Sequence, residues 1–497
     1  MNYKTINKHL LEGTEEIPYQ SAHTVFGRIY GNYQEKFLLE SKDVSHIYGR
    51  LSLIGIDPVL KISGKGDSFE IISLQDRGLH YVEALDPEDL IICDDVSREE
   101  GKIFGRIEKE SDVVEESSRS KRKNIAQIIR IFLSKFKLNE KALLGLYGAF
   151  SYDFVRLFED IESRLSENDV NDFTLYLYDT FIFFDHLKEK AEIILFRDNM
   201  EAAGKDIKFL KNQIENGEVS EVTYRISDDE FSLTGDEYEK MVEVAKNYAE
   251  KGELFEVVFS NILKAKFDGD PFALYLKYRE TNPSPYLFYF DFNDEQLVGA
   301  SPEMMVRVEH GVAHLRPISG TIQRGDDPIE DHENMLKLLS DEKEKAELDM
   351  LVDLGRNDLS RVCKPGLSVT DYRFVEKYSR VMHTVAHVSG ELRDGYTALD
   401  ALIACLNAGT LTGAPKVAAM QTIEKHEKER RGYYGGTVGY LTFSGDMDTG
   451  IIIRTAHIKG DKLRFQVGAT LLYDSVPKKE YKETLSKAEA FLNIFSS

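Results

Sequence analysis

The sequence predicts an α+β fold: a large layered arrangement of antiparallel sheets flanked by helices. Three observations carry this. The chain has 497 residues, too many for one ordinary core, and its 42% hydrophobic and 30% charged residues are globular proportions. Short runs with β alternation recur in both halves. Helical-period segments lie among them without strict strand–helix alternation, which argues against a parallel βαβ sheet.

The elements follow in order. Residues 36–75 contain "KFLLES", "RLSLIGID", "VLKISGKG" and "SFEIISL", separated by Gly, Asp, Pro or Lys, and predict an antiparallel meander. "KRKNIAQIIRIFLSKFKL" (121–138) has apolar residues near helical spacing, and "ALLGLYGAFSYDF" and "FTLYLYDTFIFFDHL" return to strands rich in Tyr, Phe and Thr. An acidic stretch, 216–237, then separates the halves. Thr234 and Glu237 predict a capping box opening a helix at "DEYEKMVEVAKNYAEKG". The main boundary is expected near residue 225, giving regions 1–225 and 226–497, with no requirement that they fold apart. The second region mixes strands ("PYLFYFDF", "GYLTFSG", "TGIIIRTAHI", "KLRFQVGATLLY") with helices expected at 332–354, 396–406, 414–429 and 478–494.

Composition narrows the function classes. "MNYKTINKHLLEGTEE" lacks the apolar core of a leader, and no run approaches the roughly 18 apolar residues of a membrane span, so a cytoplasmic protein without a membrane partner is expected. A formal net charge of −23 repels nucleic acid, and no basic stripe overrules it. Cys93, Cys363 and Cys405 form neither a disulfide framework nor a zinc spacing. An anionic substrate would need locally placed Arg, Lys, backbone N–H groups or a divalent cation.

"DEKEKAE" (341–347) puts Glu344 and Glu347 three residues apart, and "PKKEYKETLSKAEAF" does the same with Glu480 and Glu483, with Lys487 one turn on. Either pair alone is commonly a solvated face. Two such helices together can also offer Mg²⁺ the oxygen ligands it prefers. Three glycine-bearing turns, "RPISGTIQRG", "NAGTLTGAPK" and "RGYYGGTVGY", match no nucleotide-binding pattern, although Thr321 and Thr410 add hydroxyls beside close-approach backbone. His383 is one of 12 histidines, and singly is more often a packed or surface imidazole. Arg454, inside the apolar run "GIIIRTA", must snorkel or meet a carboxylate, for which a bidentate carboxylate is the best match.

These residues sit in a series of longer motifs: "NPSPYLFYF", "GASPE", "RPISGT", "DEKEKAELDMLVDLGRNDLSRV", "YSRVMH", "AGTLTGAPKVAAM", "RRGYYGGTVGY", "IIIRTA" and "DSVPKKEYKETLSKA". The second half thereby resembles the chorismate-binding enzyme family, and the whole chain is similar to its anthranilate synthase component I group. Over the first half the likeness rests on "LLES", "GRLSLIGIDP" and "GAFSYD". The resemblance implies that Glu344, Glu347, Glu480 and Glu483 surround Mg²⁺. It implies that chorismate is held by Gly320, Thr321, Tyr434, Arg454, Gly468, Ala469, Thr470 and Lys487. Glu303 is the candidate acid for the leaving hydroxyl, His383 the candidate helper in proton removal, and Thr410 a positioning hydroxyl. A separate glutamine amidotransferase subunit is implied as the ammonia source, in a hetero-oligomer, because no cysteine context looks like a glutaminase nucleophile. Feedback inhibition by L-tryptophan is implied at Glu40, Ser41, Arg50, Pro285, Tyr286, Leu287, Val438, Gly439 and Tyr440.

Some positions depart from the family pattern. Ser319 stands where aminodeoxychorismate synthases typically carry Lys, and Glu256 where the water-adding relatives look to have a Lys base. Thr470 replaces a Gly in the usual "GAG" turn, where its β-branch is expected to restrict the backbone. The rival readings are an aminodeoxyisochorismate or aminodeoxychorismate synthase, and a tryptophan-sensing subunit without turnover.

Overall fold

The computed structural model describes residues 1–7, 10–42, 51–110, 116–219, 221–378 and 381–495. Its frame is two antiparallel sheets, each of 13 strands among the described residues. Both sheets draw on both halves of the chain. In the first, Phe37–Glu40 pairs with Tyr286–Asp291, and in the second, Gly145–Phe150 pairs with Thr437–Thr442. Residue 225 lies in the strand Tyr224–Phe231, at the edge of the first sheet.

The expected meander over 36–75 divides. Phe37–Glu40 and Leu51–Gly55 lie in the first sheet, while Leu60–Lys65 and Ser68–Ser73 lie in the second. Between the pairs, Asp57 takes a left-handed backbone (φ 57°) just before Pro58, and the chain leaves one sheet for the other. The two central strands of the first half, Gly145–Phe150 and Phe173–Tyr178, are buried along their whole length, so alternation gives way to continuous apolar runs.

Helices close the outer faces. The capping box at Thr234 and Glu237 opens the helix Gly235–Glu250 as the sequence predicts. The single helix expected over 332–354 is two: Pro328–Ser340 and Glu342–Ser360. They part at Asp341, whose carboxylate accepts the backbone N–H groups of Lys343 (2.9 Å) and Glu344 (3.1 Å) and so starts the second helix. The helix expected over 121–138 is shorter, Gln127–Lys135, and the last one runs Pro477–Leu492. Among the described residues no helix is long and apolar enough to cross a membrane.

Two further corrections bear on the site. The run "TGIIIRTAHI" is not one strand: Met447–Ile451 belongs to the second sheet and Thr455–Lys459 to the first, and Arg454 sits in the crossover between them. Gly468, Ala469 and Thr470 are not a turn but part of the strand Lys462–Leu471, where Thr470 pairs with Val258. A β-branched residue suits a pleated strand, so the restriction expected at Thr470 does not arise.

Candidate active site

The crossover carrying Arg454 brings the two sheets together. Its backbone is left-handed (φ 49°), which costs any residue with a Cβ energy and is held in place by neighbours. The Arg454 carbonyl accepts the Ala300 N–H and the Tyr278 hydroxyl, both at 3.1 Å. Among the described residues no carboxylate or other acceptor partners its guanidinium. Burial lowers its pKa, only partly offset by Tyr278 and Glu303 nearby. A desolvated, unpaired guanidinium is a receptor for an anion.

Glu303 stands opposite. It lies between the strands Glu295–Ser301 and Met304–Glu309, and its carbonyl accepts Ile451 N–H at 3.0 Å. Thr410, on the short helix Gly409–Thr412, donates its hydroxyl to both Glu303 carboxylate oxygens, at 2.9 and 3.0 Å. Burial pushes the Glu303 carboxyl up to about 7, against the pull of Thr410 and Arg454. A carboxyl titrating there serves as a proton donor at neutral pH.

His383 lies on the strand Val381–Glu391, with its Nδ1 2.8 Å from the Gly320 carbonyl and 3.0 Å from Thr321 Oγ1. A carbonyl only accepts, so this contact puts the ring proton on Nδ1 and leaves the Nε2 lone pair open. Burial lowers the His383 pKa and keeps the ring neutral, and Tyr378 packs edge-on at 5.3 Å. Gly320 has φ 69°, and a Cβ there would come 2.9 Å from Leu338 and 3.1 Å from Glu344 Oε2. Glycine is therefore needed both for the turn and for its approach to the acidic helix.

Tyr434 and Gly468 meet from other elements: a Cβ on Gly468 would stand 2.9 Å from the Tyr434 hydroxyl. Lys487 donates to the Gly468 carbonyl (3.0 Å) and pairs with Glu483 (2.8 Å). Ala469 N–H is 3.3 Å from the Tyr238 hydroxyl.

The acidic helices converge. Burial raises the carboxyl pKa of Glu344, Glu347 and Glu480, and the charge of Glu483 raises each further. As the side chains stand, no group of three or more His, Cys, Asp or Glu among the described residues is arranged to hold a metal ion. The donor set is nevertheless hard oxygen throughout and short of positive charge, with Lys343 and Lys487 the cations acting on it, which fits Mg²⁺ in donor chemistry. Glu256, buried at the start of the strand Glu256–Gly269, is pushed up to about 7 by burial and by Glu347. Ser319 is buried beside the same helix, its hydroxyl 3.4 Å from the Glu344 carbonyl.

The residues expected to bind tryptophan gather elsewhere. Glu40 pairs with Leu287 across the sheet, and its carboxylate accepts from Tyr275 (2.6 Å) and Arg279 (3.0 Å). Ser41 Oγ is buried without a hydrogen-bond partner among the described residues. Pro285 leads into the strand of Tyr286, whose ring lies against Gly450 and whose hydroxyl donates to Asp448 at 3.0 Å. Gly450 and Asp448 pair with Val438 and Tyr440, and Gly439 lies between those two. Arg50 lies outside the described residues.

Sequence reasoning passed over Arg431 and Glu427, a fully buried pair behind Tyr434.

The chain is similar to known proteins over most of its length. The chorismate binding enzyme family model matches residues 76–493. Anthranilate synthase component 1 of Aquifex aeolicus is 40% identical over 363 residues, 70% of this chain and 73% of that protein. The protein of the same name from Buchnera aphidicola subsp. Schizaphis graminum is 34% identical over 503 residues, 97% and 96% of the two chains. The crystal structure of anthranilate synthase component I from Streptococcus pneumoniae superposes with a TM-score of 0.67 at 32% identity, covering 90% of this chain and 93% of that one. The menaquinone-specific isochorismate synthase of Escherichia coli shares the fold, with a TM-score of 0.69 at 16% identity over 98% and 94%. The chain belongs to the chorismate-binding enzyme family and groups there with the component 1 proteins of anthranilate synthase.

Proposed function

We propose that this enzyme converts chorismate and ammonia to anthranilate and pyruvate by way of aminodeoxyisochorismate, as the large component of a cytoplasmic anthranilate synthase. The observation that carries the reading is Arg454: a half-buried guanidinium without an acceptor among the described residues, near enough to the Glu303 carboxyl for each to act on the other's charge. A ring dianion supplies the carboxylate that Arg454 lacks. Tyr434, the backbone of Gly468–Thr470, Lys487 and the turn of Gly320 and Thr321 complete the cradle.

Glu303, its carboxyl raised to about 7 by burial and aligned by Thr410, protonates the C4 hydroxyl as it leaves while ammonia adds at C2. His383 then takes the C2 proton on Nε2, the C3–O bond breaks, and the ring becomes aromatic as pyruvate departs. Glu344, Glu347, Glu480 and Glu483 would hold Mg²⁺, which supplies Lewis-acid polarisation of a substrate carboxylate.

Ammonia must be delivered unprotonated, and this chain has no thiol suited to releasing it from glutamine. Burial pushes the Cys93 and Cys363 thiols up to about 11 and the Cys405 thiol higher still. A separate glutamine amidotransferase subunit therefore completes the enzyme as a hetero-oligomer. L-tryptophan acts as feedback inhibitor at the cluster of Glu40, Ser41, Pro285–Leu287 and Val438–Tyr440, with Arg50 its remaining expected contact.

The test is incubation with chorismate, Mg²⁺ and ammonium salt at alkaline pH. Fluorescent anthranilate and an equal yield of pyruvate are expected. A product that retains its enolpyruvyl group, or no turnover, overturns the reading.

A further inference from the structure

Behind Tyr434 lies a polar network with no place in the steps above. Arg431 is 2% exposed and Glu427 7%. The guanidinium donates Nε to Glu427 Oε2 (3.0 Å), Nη1 to the Leu411 carbonyl (2.6 Å), and Nη2 to the Val258 carbonyl and Glu427 Oε1 (both 2.7 Å). Its carbon lies 4.9 Å from the centre of the Tyr152 ring and 5.5 Å from that of Tyr434. Glu427 Oε1 also accepts the N–H (2.9 Å) and hydroxyl (2.6 Å) of Ser260, and that hydroxyl accepts from Gln466 Nε2 at 2.7 Å.

These bonds reach separate elements. Leu411 directly follows Thr410, which clamps Glu303. Val258 and Ser260 pair with Thr470 and Gly468, and Gln466 precedes them on the same strand. Tyr434 follows three residues later on Arg431's own turn, its N–H donating to the Arg431 carbonyl at 3.3 Å. One planar cation thus ties the segment of the hydroxyl clamp to two walls of the cradle. An ammonium could not replace it, since a single nitrogen cannot span acceptors lying in three directions.

We propose that Arg431, anchored by Glu427, is a positioning residue that acts through Thr410 and Tyr434, holding the first in register with Glu303 and the second against the substrate. Burying so complete an ion pair is weak evidence for a stabilising role alone, since apolar residues often serve a core as well. Its bonds go to backbone carbonyls next to site residues, which is what positioning requires.

The inference rests on the chemistry proposed above, and a double-mutant cycle separates the two. Arg431→Lys, Thr410→Val and the pair are assayed for anthranilate formation with ammonium. Thr410→Val is expected to lower kcat by about 100-fold, the lower end for a misaligned general acid. Arg431→Lys is expected to lower kcat about as far, and the pair to be little worse than either. The alkaline limb of the rate profile should move upward in both single variants, because the Glu303 carboxylate loses the same hydroxyl and its proton is held to higher pH. Glu427→Gln enters the same cycle, so that poor folding of Arg431→Lys leaves a second reading of the coupling. Multiplying effects in the cycle, or an unmoved pH profile with lowered Tm, overturns the positioning role and leaves a packing role. Absence of product from the unaltered enzyme would instead overturn the chemistry.

Discussion

Replacing Glu303 with glutamine should make the protein more stable and the enzyme nearly inert. Burial holds the Glu303 carboxyl at about 7 against an ordinary value of 4.5. The folded state therefore binds its proton more tightly than the unfolded state, and stability falls as pH rises from 4.5 through 7. A difference of about 2.5 units at roughly 1.36 kcal/mol each gives about 3 kcal/mol, fully expressed above pH 7 and nearly absent below 4.5. Glutamine carries no charge at any pH and still accepts the Thr410 hydroxyl, so it removes this cost alone. At roughly 2.1 cal/mol/K per residue, a chain of this length has an unfolding entropy near 1 kcal/mol/K, and 3 kcal/mol becomes about 3 °C. Scans at one fixed rate should place Glu303→Gln about 3 °C above the unaltered protein at pH 8 and level with it at pH 4.5. Turnover should fall by about 10²- to 10⁴-fold. Equal Tm differences at the two pH values would refute the claim that burial raises this carboxyl. Retained turnover would refute its role as acid.

Arg454→Gln should raise KM for chorismate about 10- to 100-fold, the worth of one charge-assisted bond, with a smaller effect on kcat; an unchanged KM would remove Arg454 from the substrate. Glu483→Ala should abolish Mg²⁺-dependent turnover while leaving the far-UV circular dichroism intact, and should free Lys487 from its 2.8 Å pair; unchanged turnover would defeat the metal assignment. Ser41→Ala should weaken inhibition by tryptophan roughly 10-fold and leave uninhibited turnover alone, because its buried hydroxyl has no protein partner to lose; unchanged inhibition would remove Ser41 from the regulatory cluster.

The parts of this site that the sequence made legible are those where a residue breaks its local rule. Paired glutamates in an already acidic chain, and an arginine within "GIIIRTA", both demand an explanation that spacing alone can pose. Strand alternation was equally legible, but alternation does not say which of two sheets a strand joins. Hence the run 36–75 reads as one meander, although the chain changes sheet at Asp57 and Pro58. The same blindness hid the break at Arg454, where unbroken hydrophobicity conceals a crossover from one sheet to the other. At Asp341 the helical period continues on both sides, and only the side chain's capture of two backbone N–H groups ends one helix and starts the next. Arg431 was overlooked because its partners are backbone carbonyls scattered from Val258 to Leu411, and a carbonyl leaves no mark on a sequence.

Four local sacrifices of stability fall among the candidate site residues. Arg454 adopts a left-handed backbone and carries a desolvated charge, Glu303 and Glu256 are held near pH 7 by burial, and Glu344, Glu347 and Glu480 are raised by burial and by the charge of Glu483. A fold under selection for stability alone would shed such features singly, since each is open to repair by one substitution. Their coincidence is better explained by what they share. Among the described residues the guanidinium has no anion, and the carboxylates carry more negative charge than Lys343 and Lys487 offset, so each side would be completed by the metal and dianion proposed above. The net charge of −23 then ceases to be an obstacle to an anionic substrate, because the charge that matters is local and of both signs.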